Sequence, residues 1–251
     1  MPTDDATASG TRSEGDDFDA RVSGIAALGE PVRRALYRYV VSEPDPVNRD
    51  QAAEGAGVAR HVAKFHLDKL VDDGLLEVEY RRLSGRRGPG AGRPAKFYRR
   101  SSRELTVSLP ERHYELAGRL LARAITDAER DGAPVGDALR DAARDAGREL
   151  GQRARAKAGA RASRSALLAS TTDVLSDCGY EPRSDATGMT LVNCPFHALA
   201  QDYTELVCGM NLELMNGLVA GLERSALEPL LDPAPGRCCV RLRKASPAGG
   251  G

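Results

Sequence analysis

The chain has 251 residues, with 36 basic and 36 acidic side chains and a formal net charge of zero. That length allows two modest domains, and the charge balance argues against a general nucleic-acid coat. No apolar run is long enough to cross a bilayer, and the N-terminus lacks a basic start followed by an apolar core; no membrane span or signal peptide is therefore expected, and the cytoplasm is the expected compartment.

Residues 1–19 carry Asp4, Asp5, Glu14, Asp16, Asp17 and Asp19 against Arg12 alone, and read as a disordered acidic tail. Residues 20–100 read as the first compact unit. Pro31 suits the first turn of a helix, after which Val32, Leu36, Tyr39 and Val40 recur at helical spacing. Asn48-x-x-Gln51 resembles a capping box and opens a short helix, RDQAAEGA. Gly57 supplies a tight turn, and a second helix runs from about Ala59 to Asp73 and stops at Gly74. Helix, glycine-containing turn, helix is the pattern of a helix-turn-helix.

The second helix has an inside and an outside. At 100° per residue, Ala63, Leu67, Leu70 and Val71 share one face, while His61, Lys64, Phe65, Asp68 and Lys69 share the other. A recognition helix needs cations near its N-terminus for phosphates and base edges, which makes Arg60, His61 and Lys64 candidate DNA contacts, with Lys69 farther along. An outward Phe65 suits a thymine methyl. The plainer alternative is that Lys64 and Lys69 are ordinary surface lysines. His66, at the edge of the apolar face, reads as packing.

Leu75, Leu76, Val78 and Tyr80 read as a strand, with Lys96, Phe97 and Tyr98 as its partner. Between them SGRRGPGAGRP has three arginines, many small residues and no acid, the form of a β-wing. Arg86, Arg87 and Arg93, with Lys96 at its base, are candidates for minor-groove or phosphate contacts; the alternative is a flexible basic linker.

Residues 101–162 read as a helical linker or dimerisation region. Tyr114, Leu116, Leu120, Leu121 and Ile125 mark one helix, and 135–162 looks like a solvated helix with a thin apolar stripe. Residues 163–245 read as a cysteine-containing sensor domain of helix, strands and helices, and 246–251 as a flexible tail. The expected class is mainly α with small β elements (α+β): an N-terminal winged helix-turn-helix and a C-terminal α+β sensor domain.

Five cysteines in a reducing compartment point to free thiols or metal ligands rather than disulfides. Cys194 follows the apolar MTLV at a strand end, Cys208 lies near the start of a helix, and Cys238 and Cys239 begin or sit in a final strand, CCVRL. Strand side chains alternate, so one of that pair is expected to face a site formed with the other two. Three converging thiolates could bind a soft metal centre. The spacing does not match a C-x-x-C zinc ribbon and leaves room for an iron–sulfur cluster, with plain burial of small apolar cysteines as the alternative. Cys178 falls outside this set, as a buried residue at a helix end.

The order LGEPVRRALYRYV…AAEGAGVARHVAKFHLDKLVDDGLLEVEY…GRPAKFY resembles the winged-helix regulators of the ArsR-like superfamily over about eighty residues. That resemblance implies a homodimer reading double-stranded operator DNA, with 111–131 as the dimer contact or else a linker helix. The later CPFHALAQDYTELVCGMNLELMNGLV with GRCCVRL resembles the C-terminal half of SufR-like iron–sulfur regulators, which control cluster-assembly operons. It implies Cys194, Cys208 and either Cys238 or Cys239 as ligands. A fourth ligand is not evident; His197, Asp202, Glu205 and an outside thiol are the candidates. Rival expectations are a regulator that binds zinc or one that senses a small organic ligand. No catalytic function is expected. Vicinal Cys238–Cys239 is not a C-x-x-C redox pair, and His113 and His197 have no Ser or Asp partners in a recognisable motif.

Overall fold

A computed structural model of the chain describes residues 14–81, 94–223 and 225–245. It divides into two compact units at Val107–Ser108.

The first unit runs α1 (Glu14–Ala27), α2 (Pro31–Ser42), β1 (Val47–Asn48), α3 (Arg49–Gly55), α4 (Arg60–Asp72), β2 (Leu76–Arg81) and β3 (Ala95–Arg100). Local signals fix its helix starts. Glu30 caps α2, its carboxylate accepting from the backbone N–H of Val32 at 3.1 Å and of Arg33 at 2.6 Å, with Pro31 just inside. The capping box forms: Asn48 Oδ1 accepts from Asp50 N and Gln51 N, and Gln51 Oε1 accepts from Asn48 N at 2.8 Å. Gly57 and Gly74 adopt φ of 67° and 74°, the left-handed turns that end α3 and α4.

Leu36 and Val40 of α2, Ala52 of α3, and Ala63, Leu67 and Leu70 of α4 close over Leu76 and Tyr98 of the sheet. The sheet order is β1-β3-β2, all antiparallel, with Val47 opposite Tyr98 and Val78 on the other side of Tyr98. α1 starts at Glu14, inside the stretch expected to be a disordered tail. It packs on the segment after β3: a Cβ on Gly24 would lie 2.5 Å from Leu105 Cδ1, and Arg21 donates to the Thr106 carbonyl.

The second unit runs α5 (Tyr114–Asp131), α6 (Val135–Ala158), α7 (Arg164–Asp177), β4 (Pro182–Ser184), β5 (Gly188–Leu191), α8 (His197–Asp202), α9 (Thr204–Leu222), β6 (Leu227–Leu231) and β7 (Val240–Lys244). Its sheet is antiparallel, order β4-β5-β7-β6. The stretch read as a linker or dimerisation region contributes to this unit's core: Ala117, Leu120 and Ala124 of α5 and Leu139, Ala143 and Leu150 of α6 are buried with Leu214, Met215 and Leu218 of α9.

α6 and α9 form the most extensive helix contact and run parallel, Arg144 pairing with Glu213 at one end and Arg155 with Glu223 at the other. Gly147 and Gly151 of α6 face Gly217 and Gly221 of α9. A Cβ on Gly147 would sit 1.9 Å from the Leu214 carbonyl oxygen, and one on Gly217 1.9 Å from that of Arg144. The two backbones touch, and only residues without a side chain permit it. Among the described residues, no helix is long and apolar enough to cross a membrane.

Candidate nucleic-acid interface and thiol cluster

Two places gather the residues singled out in the sequence. The first is a groove between the starts of α3 and α4 and the root of the β2–β3 hairpin. Arg49, Arg60, Lys64 and Lys96 line it with Asp50, Asp68, Tyr80 and Tyr98. α4 begins at Ala59 without a side-chain cap, so its first backbone N–H groups are open to an anion. Its outer face carries Arg60, His61, Lys64 and Lys69, all exposed, and Phe65, which is 66% exposed, while Ala63, Leu67 and Leu70 are buried as the periodicity requires.

The cations are not equivalent. Arg60 pairs with Asp50, Lys69 Nζ lies 3.0 Å from Asp73 Oδ1, and Lys96 pairs with Asp68. Among the described residues Lys64 has no ion-pair partner, although the Asp68 carboxylate lies within its electrostatic reach. Asp68 also accepts from the Tyr98 hydroxyl at 3.2 Å. Partial burial opposes ionisation of Asp68, but the Lys96 hydrogen bond and charge outweigh it, and the carboxyl is held below its ordinary range. Lys96 thus joins the recognition helix to the hairpin root. Arg86, Arg87 and Arg93 lie outside the described residues.

Tyr80 is 67% exposed in the same groove, a large ring on the solvent side of β2. The sequence marks it only as a strand residue; in the structure it lies opposite Lys96 in the register. His66 packs inward as expected, with Nδ1 3.5 Å from Glu30 Oε2.

The second place is in the other unit. Cys194 follows β5, Cys208 lies in the second turn of α9, and Cys238 and Cys239 immediately precede β7. Cys194 interacts with Cys238, Cys238 with Cys239, and Cys239 with Cys208, so the four thiols lie in one neighbourhood. All four candidate ligands therefore meet. β7 begins at Val240, directly after the doublet; Cys238 is buried and Cys239 is partly exposed. Cys178 lies at the end of α7, buried.

Hydrogen bonds from nitrogen reach the sulfurs as well. Asn211 Nδ2 of α9 donates to Cys238 Sγ at 3.1 Å, and its oxygen accepts from the buried Tyr180 hydroxyl. The backbone N–H of Phe196 points at Cys194 and that of Val240 at Cys238. Cys194, Cys208 and Cys238 are each held protonated as neutral thiols. Cys194 is raised by donating to Cys238 and by burial, and Cys208 chiefly by burial. Cys238 is lowered by accepting from Cys194, but its own bond to Cys239 and its burial leave it pushed up to about 11. Among the described residues no group of three or more His, Cys, Asp or Glu is spaced to hold a metal ion.

No curated protein matches the chain closely enough to count as a relative. A solved structure, human N-acetylserotonin methyltransferase in complex with SAM, aligns with 67% of this chain and 58% of its own, at 17% identity and a TM-score of 0.24. The chain spans 58% of that protein's length, and a likeness so slight says nothing about fold or function. Residues 28–79 match the family described as a helix-turn-helix domain, which covers α2 to β2 and the groove beside α4; the first unit therefore carries a helix-turn-helix domain of the kind found in DNA-binding transcription regulators.

Proposed function

We propose that this chain is a transcription repressor whose hold on operator DNA is set by an iron–sulfur cluster at Cys194, Cys208, Cys238 and Cys239, and that it controls genes of cluster assembly as a homodimer in the cytoplasm. One observation carries the proposal: four thiols from three separate segments lie in one neighbourhood, with the Asn211 amide donating to the sulfur of Cys238. A soft donor set of this kind suits iron–sulfur ligation, and N–H···S bonds are the usual way a protein steadies such sulfurs. When bound, a cluster supplies a link among these segments that oxidant or iron shortage removes.

The chain's own residues do the rest. Cys208 and Asn211 lie on α9, and Cys238–Cys239 lead into β7, so a constraint at the thiols is felt by the helix and sheet that build the unit. In the first unit, α4 presents Lys64, His61 and Phe65 to the major groove, and its uncapped N-terminus receives a phosphate. A switch requires that the loaded and iron-free forms differ in operator affinity, by a factor that equals the effect of DNA on cluster retention.

The test is fluorescence anisotropy on an operator chosen by in vitro selection, with loaded and iron-free protein at one salt concentration. The loaded form is expected to bind more tightly. Equal affinity removes the sensing role, and a colourless protein with stoichiometric zinc replaces the cluster by zinc.

A further inference from the structure

The chain passes from the first unit into the second at Val107–Ser108, and the few residues between that point and α5 are tied down in an unusual way. Asn193, 7% exposed, sits directly before Cys194. Its Nδ2 donates to the Glu111 carbonyl at 2.8 Å and to the Gly179 carbonyl at 2.6 Å. Its oxygen accepts from Arg112 Nη1, which also donates to the carbonyl of Cys194 at 3.0 Å. The backbone N–H of His113 donates to the Pro195 carbonyl at 3.1 Å, and Arg112 N donates to Ser108 Oγ at 2.8 Å. Both amide hydrogens and the oxygen of Asn193 are in use, and each bond joins the thiol-bearing loop to a neighbouring segment.

Ordinary packing would hold a linker by apolar side chains. Here Leu109, at 81% exposed, contributes none; beside the packing of His113 and Glu111 on Gly179, the segment is held by polar bonds to the 193–195 loop. Polar bonds of fixed geometry transmit a displacement that an apolar contact would absorb, because each fails over a few tenths of an ångström. The loop they reach is the one whose next residue is a proposed cluster ligand.

We propose that Asn193 and Arg112 form a latch that couples the state of the thiol loop to residues 108–113, and so to the chain leading into the DNA-binding unit. The proposal rests on the cluster reading above for its signal, though the latch itself does not. A cluster held at Cys194 would fix the loop, and through it Asn193 and the Cys194 and Pro195 carbonyls, which tether 108–113. Loss of that constraint at Cys194 loosens all these tethers together. The reciprocal holds by linkage: a constraint on 108–113 is felt at Cys194. Arg112 and Asn193 are positioning residues, not ligands.

The experiment uses the full chain, wild type and Arg112→Ala, with Asn193→Ala as the second variant. In iron-free protein, amide exchange over 111–113 is expected to quicken about tenfold in Arg112→Ala, the scale of one or two lost hydrogen bonds, while amides of α6 and α9 are unchanged. Unchanged exchange at 111–113 in both variants overturns the latch. In anaerobically loaded protein, iron, sulfide and visible absorption per chain are expected to match wild type. The ratio of loaded to iron-free operator affinity is expected to fall to within about twofold of unity, well under the usual range of coupled sites. A ratio equal to wild type in a variant with a full cluster overturns the coupling. A wild-type protein that takes up no cluster overturns the coupling together with the cluster reading, and the exchange rates at 111–113 then decide the latch on their own.

Discussion

Gly147→Ala is the sharpest test of the helix contact that holds the thiol site together. The new Cβ would lie 1.9 Å from the Leu214 carbonyl oxygen, 2.8 Å from its carbon and 2.9 Å from Leu218 N. All three are backbone atoms of α9, so no rotamer change relieves the overlap, and the helices must part by about 1 Å or more to restore a normal contact. Overpacking of this kind costs typically 1–3 kcal/mol, and a clash of backbone with backbone belongs at about 3 kcal/mol. Replacing a mid-helix glycine returns about 1 kcal/mol of helix propensity. The expected net loss is about 2 kcal/mol, or roughly 4–8 °C in midpoint for a unit of this size.

Because α9 carries Cys208 and Asn211, the same displacement should also disturb the thiol site. The assay is thermal unfolding followed by circular dichroism, with Gly118→Ala as the control of opposite sign. A Cβ on Gly118 meets nothing within 4 Å on the exposed face of α5, and that substitution should stabilise by up to about 1 kcal/mol. Adding Gly217→Ala to Gly147→Ala should cost less than the two singles together, since one displacement accommodates both. A Gly147→Ala midpoint at or above wild type refutes the close contact of the two backbones.

Other outcomes follow from the same geometry. Lys64→Ala should weaken operator binding across sequences and lower the salt slope by about one, whereas Lys69→Ala, whose ammonium is already paired with Asp73, should change that slope far less; salt titrations by anisotropy separate the two. Asp68 is held below its usual pKa by Lys96, so it contributes stability above the unfolded value of about 4 and loses it as pH falls through the lower folded value. Thermal unfolding between neutral and acid pH should therefore show a shallower acid decline in Asp68→Asn; an identical decline contradicts the pairing. Asn211→Ala removes the donor to Cys238 and orphans the buried Tyr180 hydroxyl, which should cost about 1–3 kcal/mol in denaturant unfolding.

The sequence spoke most clearly where a local signal sufficed. The Asn48–Gln51 capping box, the turn at Gly57, the buried and exposed faces of α4 and its stop at Gly74 depend on residues within one turn of each other. What escaped depends on distant partners. β1 is two residues long and exists because Val47 and Asn48 meet β3 across the fold. Which cations of α4 stay unpaired follows from Asp50, Asp73 and Lys96, whose proximity no spacing reveals. The sequence puts Cys238 and Cys239 at the start of the last strand, whereas the ladder begins at Val240, because only from there does β6 supply a partner in register. Glycines at 147, 151, 217 and 221 do carry a readable three-residue gap on each helix, yet their pairing required knowing that α6 lies on α9.

Sensing by the second unit stands or falls with an iron–sulfur cluster on the four cysteines. The direct measurement is the visible spectrum, with iron and acid-labile sulfide per chain, of protein prepared without oxygen, beside Cys194→Ser and Cys208→Ser. The expected result is a coloured wild-type protein containing both elements, and loss of colour and sulfide in each variant while the helix-turn-helix unit stays folded. A wild-type protein that remains colourless after reconstitution with iron and sulfide, or full colour in both variants, contradicts it.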